Sequence, residues 1–453
     1  MSKSIKIRKG LDIRIKGDAE RSSTEVPLSS TYAIKPTDFH GLIPKLLKRV
    51  GDPVKAGTII FQDKYREDIK YVSPVSGKIQ EVKRGAKRKI LEVIIEADKE
   101  ISYEAGNPVD VASLDRETAK EALLASGLWP FIKMRPIDVV ANYTDTPKSI
   151  FISGFDSSPL APDYDYLLYT RDKEFQAGID VLNKLTDGNV NLQLRAKGGA
   201  DAAFTQAKKV VANKVSGPHP SGNVGPQIHQ IDPINKGEVV WTVNAQDVAI
   251  IGRCLLTGRY DASKLVALTG SEATNRKYYK VIIGANASDV LNGNCNTDNV
   301  RYISGNVLTG SQIEADGYIG FYDSQLTVVP EGNEHKFFLT KGWLEPGFKK
   351  LSNNSAYPSK IFGPKKFDVD TNLNGEERAF VVTGEYEKVF PFDIYPVHLI
   401  KSVMVNDIDS MEKLGIYEVA PEDFALCEFV CTSKINSQEI VREGLDVIHK
   451  ECM

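Results

Sequence analysis

Two tight-turn signatures, Val50-Gly51-Asp52-Pro53-Val54-Lys55-Ala56-Gly57 and Ser73-Pro74-Val75-Ser76-Gly77-Lys78-Ile79, constrain this chain more than any other feature. Each sits among β-branched residues. Asp52-Pro53 presets a turn, and Gly51 and Gly57 supply positions where a positive φ meets no Cβ. Strands leading into two such turns within residues 35–98 fold back on one another and close a small β-module. Ile90–Ala97 continues the alternating pattern at its end, and no long helical period intrudes.

The paired turns are similar to those of the barrel-sandwich fold in lipoyl and biotinyl carrier domains, where a lysine at a hairpin tip holds the cofactor. Counting on from Gly57 and back from Gly77 lands on Arg66 and Glu67, within Tyr65-Arg66-Glu67-Asp68. No lysine occupies the tip. The module therefore reads as a scaffold or docking surface. A biotin- or lipoate-carrying transfer protein is disfavoured, and an unmodified intact mass would exclude it.

The 453 residues suffice for several domains with separate cores. A net charge of −3 excludes a globally basic nucleic-acid binder. No apolar run approaches the roughly 18 residues of a membrane helix. Residues 1–9 carry charge but no apolar stretch, so no secretory signal is expected. Five cysteines, an odd number, predict a reducing compartment without a disulfide framework. A cytoplasmic chain is expected, linked to any membrane through a partner.

The pattern predicts an α+β multidomain protein: a barrel-sandwich over 1–100, alternating helices and strands over 101–255, renewed β character over 256–330, and a tail over 331–453 with terminal helices. A helix is expected from Asp115 through Leu124, and a strand over 150–154. A second helix is expected from Asp201 through Val210, Val211 and Val215. Strands are expected at 279–284 and 301–310. Further helices are expected near 399–405 and 437–450, the latter with Ile440, Val441, Leu445 and Ile448 on one face. Lys83, Arg84, Lys87, Arg88 and Lys89 around Gly85 read as a solvated hairpin tip, or as a contact for an acidic partner or anionic headgroups.

These segments occur in an order that resembles the A subunits of bacterial Na⁺-translocating NADH:quinone oxidoreductases, over nearly the full length. The resemblance rests on the two turns and on Gly127-Leu128-Trp129-Pro130-Phe131-Ile132-Lys133-Met134-Arg135-Pro136. It also rests on Ser153-Gly154-Phe155-Asp156-Ser157-Ser158-Pro159-Leu160-Ala161-Pro162-Asp163, Gly217-Pro218-His219-Pro220-Ser221-Gly222, residues 303–310, and Cys427-Glu428-Phe429-Val430-Cys431. That family is similar in turn to the C subunit of the Rnf complex and to the flavoprotein subunit of complex I. The resemblance implies a degenerate Rossmann-like α/β domain over 101–255, a β-grasp (soluble-ligand-binding) domain over 256–330, and a mainly helical C-terminal region.

The relatives' cofactor chemistry is missing. They hold FMN and NADH with a glycine-rich loop, because backbone amides approach phosphate only where side chains are absent. Here the matching stretch is Ser126-Gly127-Leu128-Trp129-Pro130-Phe131; two aromatic rings fill the space and Pro130 removes a donor. Gly198-Gly199 reads as a turn before a helix. Cys427 and Cys431 resemble a remnant of the cluster motif in the Rnf relatives, too few for ligation, and are expected to be buried and structural. No spacing suits zinc.

His219 and His229 lie in the Pro/Gly-rich segment 217–233, expected to run extended. A quinone carbonyl needs a hydrogen-bond donor beside apolar walls, and His219 with Trp129, Phe131 or Phe155 would supply both if the fold joins them. The plainer alternatives are a loop histidine bonded to backbone and core aromatics. The resemblance implies a peripheral component on the cytoplasmic face of the bacterial inner membrane. Such a component carries no redox cofactor, docks on the membrane-embedded B subunit of a six-subunit complex, and helps form or cover the ubiquinone site. FMN, FAD and a 2Fe-2S cluster are then expected on partner subunits. The competing reading is an FMN-bearing NADH dehydrogenase subunit.

Overall fold

The computed structural model describes residues 3–452 apart from 199–200, 335–336, 338–343 and 353–356. Four sheets organise it. A four-stranded sheet (Thr31–Ile34, Ile90–Ala97, Gly77–Arg84, Pro53–Val54, in that order) and a three-stranded one (Pro44–Leu46, Ile59–Asp63, Lys70–Val72) make up the N-terminal module. Ile60, Phe61, Ile69, Val75, Val93 and Ile95 are fully buried there. Gly51 and Gly57 take φ of 95° and 99°, the conformation the two turns require. The basic residues around Gly85 form an exposed hairpin tip, with Lys83 paired to Glu92 at 3.1 Å.

The hairpin tip that carries a lysine in carrier domains is tied down here. Arg66 donates from Nε to Asp63 (2.9 Å) and from Nη1 to the carbonyl of Val140 (2.9 Å) in the neighbouring sheet. A swinging arm is replaced by a strap.

The second sheet system has seven strands, in the order Ser4–Lys6, Val211–Ser216, Asn189–Arg195, Ser149–Ser153, Val240–Thr242, Lys133–Arg135, Val139–Val140. The first five run parallel to one another, and each of the last two pairs antiparallel with the strand before it. Ser149–Ser153 is buried on both faces: Ile150 and Ile152 face the main core, while Phe151 packs with Ile228 and Val240 on the other side. That double burial is why it reads as a continuous apolar run. Helices Asp172–Leu182 and Ala245–Thr257 cross on the main-core side at Gly178 and Gly252. A Cβ on Gly178 would lie 2.1 Å from the carbonyl oxygen of Val248, and one on Gly252 1.8 Å from that of Glu174. The two glycines thus set how closely the second helix lies, and with it the position of its N-terminus.

Two sequence expectations fail in this region. The helix predicted from Asp201 through Val215 is only Ala202–Thr205; Lys209 turns the chain at φ 59°, and Val211–Ser216 is a strand. The valines that mimicked a helical period are β-branched, and Asn213 and Val215 are buried in a two-residue repeat between flanking strands. Segment 217–233 is not extended throughout, because Val224–Ile231 is helical. Gly198 is exposed in a turn at φ 117°, while Gly199 lies outside the described residues.

A six-stranded mixed sheet (Ser311–Ile313, Val300–Ser304, Gln325–Pro330, Ser263–Thr269, Lys277–Ile282, Glu20–Glu25) follows. Its strand Val300–Ser304 is shorter than expected, because Asn306 folds residues 305–310 into a turn by accepting from the amides of Leu308 (2.8 Å) and Thr309 (3.0 Å). Helices Pro396–Met404 and Ser437–Cys452 close the chain, with Val441, Leu445 and Ile448 buried. The N-terminal residues thus contribute strands to two later sheets. No helix among the described residues is long and apolar enough to cross a membrane.

Candidate functional site

A cavity of about 280 Å³ opens where Ser149–Ser153 and Val240–Thr242 end, walled on its far side by the 305–309 turn and by residues 322–325. Strand order reverses between these two parallel strands: the chain runs outward from Ser149–Ser153 through Asn189–Arg195 to Val211–Ser216, then returns to add Val240–Thr242 on the other side. Crevices at such a reversal, at the carboxyl ends of strands, are where open α/β sheets bind ligands.

Phe131, Phe155 and His219 all line this cavity. Trp129 does not. It stands behind, fully buried, with its indole N–H donated to the carbonyl of Ala141 (2.7 Å) and its ring edge-on to Trp241 at 5.4 Å. Phe131 packs on Phe321 at 4.8 Å, and Tyr322 donates its hydroxyl to the carbonyl of Pro130 (2.6 Å). Gly127, at φ 67°, gives its missing Cβ space to Val72, whose Cγ1 would lie 2.4 Å away. The stretch where the relatives' phosphate loop is expected is therefore filled by packing.

His219 is 3% exposed. Its backbone N–H donates to Asp12 (2.9 Å), and its Nδ1 lies 3.1 Å from Ser157 Oγ, which already accepts from the amide of Gly222 (2.7 Å). A serine hydroxyl hydrogen directed at Nδ1 leaves the imidazole hydrogen on Nε2. Burial holds the imidazole below its usual pKa despite Asp156 and Asp12 nearby. Among the described residues Nε2 has no hydrogen-bond partner. Phe155 is anchored by Ile5, Ile7 and Val215 and lies under the Arg195 guanidinium at 5.4 Å. Asp156 is spent on its own turn, accepting from the amide and hydroxyl of Ser158.

His229, by contrast, is fully engaged: Nδ1 meets Glu418 at 2.7 Å, and Nε2 accepts from the amide of Asp393 at 3.1 Å. It pins the C-terminal segment to helix Val224–Ile231. Cys427, within helix Ala425–Val430, and Cys431, which caps its C-terminal end, are both buried, and burial pushes the Cys427 thiol well up. Among the described residues no group of three or more His, Cys, Asp and Glu is placed to hold a metal ion.

Sequence reasoning passed over the polar part of the lining. Asp138, Asp156, Asp247, Asp323 and Glu422 face the cavity with Lys133 the cation among them. Lys133 lies 3.3 Å from Asp138; beside them Arg135, 1% exposed, meets Asp423 (2.7 Å) and Glu422 (2.5 Å). An acidic lining opposes a phosphate group. Asp247 escaped notice because Asn244-Ala245-Gln246-Asp247 has the spacing of a helix cap. Asn244 does cap, accepting from Gln246 N at 2.9 Å, but the Asp247 carboxyl takes no part in it.

Comparison with known proteins adds the family. Residues 5–98 match the NqrA N-terminal barrel-sandwich hybrid domain, 114–260 the NqrA second alpha/beta domain, and 265–315 the NQRA C-terminal domain. Full-length relatives include the A subunits of the Na(+)-translocating NADH-quinone reductases from Saccharophagus degradans (36% identical over 450 residues), Vibrio anguillarum (35% over 452) and Neisseria meningitidis serogroup B (35% over 451). In the first two of these the match covers 99% of this chain and 100% of the relative. Among solved structures, an NAD+-reducing NiFe-hydrogenase in its air-oxidized state aligns with 74% of this chain and 61% of its own, at 10% identity. Its TM-score of 0.39 is too low to bear on the fold. The three matched domains and the end-to-end identity place this chain in the NqrA family, the A subunits of the Na(+)-translocating NADH-quinone reductase.

Proposed function

We propose that this chain is a peripheral, cofactor-free subunit that holds the ring of ubiquinone in the cavity between its two large sheets. The complex it joins oxidises NADH, reduces quinone and exports Na⁺. The chain docks on the membrane-embedded B subunit of a six-subunit assembly at the cytoplasmic face of the inner membrane, and FMN, FAD and the 2Fe-2S cluster reside on its partners. The seven-stranded sheet is read as a degenerate Rossmann-like domain and the six-stranded sheet as a β-grasp domain.

One observation carries this reading: Phe131, Phe155 and a neutral His219 converge on one cavity. Its volume of about 280 Å³ lies just below the roughly 300–1,000 Å³ range of small-molecule sites, which suits one ring system better than a dinucleotide. The FMN-bearing alternative fits poorly. Trp129, Pro130 and Phe131 fill the phosphate-loop position, and the lining is acidic.

Two measurements test the reading. A visible absorption spectrum of the purified chain, before and after NADH, is expected to be colourless and unchanged; a flavin band bleached by NADH would overturn the cofactor-free reading. In the assembled complex, His219→Ala is expected to weaken quinone affinity and shift inhibitor sensitivity. Unchanged values would remove His219 from the site.

A further inference from the structure

Asp247 presents to the same cavity a carboxyl group that the fold leaves unpartnered. It is 2% exposed, and among the described residues its Oδ2 has no hydrogen-bond partner. It sits in the first turn of the 13-residue helix Ala245–Thr257, whose N-terminus faces the cavity. The two cations that act on it are engaged elsewhere: Lys133 pairs with Asp138, and Lys264 donates to the carbonyl of Phe321 at 3.1 Å. A buried polar group without a partner costs free energy that a ligand atom can return. The acidic lining rules against an anion as that ligand. A neutral ring whose oxygens accept hydrogen bonds suits both the lining and the aromatic walls.

We infer that Asp247, as the neutral acid, donates a hydrogen bond to one carbonyl oxygen of the quinone ring while His219 Nε2–H serves the other. This rests on the quinone reading above and adds a ligand-contacting residue that the reading lacks. Burial supports it by pushing the Asp247 carboxyl up to about 7, against the pull of Lys264 and Lys133. About half of the carboxyl population is therefore protonated at neutral pH, and a ligand that accepts a hydrogen bond draws on that form.

The test is a titration of the full chain, and of the assembled complex, with ubiquinone-1. It compares wild type, D247N (which keeps a donor) and D247L (which removes it at similar volume). The inference predicts that D247N binds within about threefold of wild type and D247L about tenfold more weakly. A D247L variant that binds as tightly as wild type overturns the role of Asp247 and leaves the quinone reading standing. Absence of saturable binding to wild type in both preparations removes the quinone reading and this inference together. Should D247L fail to fold, infrared difference spectra of bound carbonyl-labelled ubiquinone-1 decide the matter. One C=O band is expected at lower frequency in wild type and at a different position in D247N; identical bands overturn the inference.

Discussion

His219 owes its place to two segments distant in sequence and to a residue of its own loop. Asp12 holds its backbone, Ser157 its Nδ1, and Gly222 fixes that serine. Replacing it by alanine in the assembled complex removes one donor and leaves the loop's backbone bonds intact. Quinone affinity is expected to fall by about three- to tenfold, the worth of one hydrogen bond, with little change in melting temperature. Asp247 acts on stability in the opposite sense. Its folded pKa is raised above its unfolded value, so its favourable contribution is complete below about pH 4 and is lost as pH rises through about 7. Asp247→Asn lacks that loss. The melting temperature of the variant relative to wild type should therefore climb between pH 5 and pH 8; a gap that stays constant would contradict the raised pKa. His219, Phe131 and Phe155 were legible because a histidine beside aromatics is a chemical signal in sequence. Asp247 was not: its partnerless state exists only once strands Lys133–Arg135 and Ser263–Thr269 surround it.

At the scale of the element, glycines and ion pairs decide how the sheets meet. Gly127 follows helix Arg116–Ala125 and lies where a phosphate-binding glycine is expected, yet its missing side chain makes room for Val72 of the barrel-sandwich. Gly127→Ala should cost roughly 2–4 kcal/mol, from the positive φ and the overlap together. Val72→Ala in the same chain should recover part of that in chemical denaturation. Fully additive costs would show that the contact does not govern this junction. Helix Arg116–Ala125 and strand Ser149–Ser153 were readable locally, from an Asp115 cap and a continuous apolar run. The segment after Asp201 was misread because three valines satisfy a helical and a strand period equally well, and the pairings that decide between them come from Asn189–Arg195 and from Ser4–Lys6, the latter some two hundred residues earlier in the chain.

The whole molecule is knitted together across its sequence. Strands Ser4–Lys6 and Glu20–Glu25 join sheets built mainly from later residues. Arg66 straps the barrel-sandwich hairpin to Val140, and Arg135 grips Asp423 and Glu422 from the C-terminal segment. Arg135→Ala would strand two carboxylates, one of them (Asp423) wholly buried, and should destabilise the chain by about 3–5 kcal/mol, with a matching drop in yield of folded protein. An Arg135→Ala variant as stable as wild type would mean the C-terminal segment is held by packing alone. This long-range knitting explains why a linear division of the chain captures its composition better than its contacts. The central claim, that the cavity receives a quinone ring, is tested most directly by titrating the full chain with ubiquinone-1 while following tryptophan fluorescence. Trp129 and Trp241 form an edge-on pair behind Phe131. The account predicts saturable quenching that His219→Ala shifts to higher quinone concentration; saturable quenching that His219→Ala leaves unchanged would remove His219 from the site, and quenching that never saturates would contradict the account.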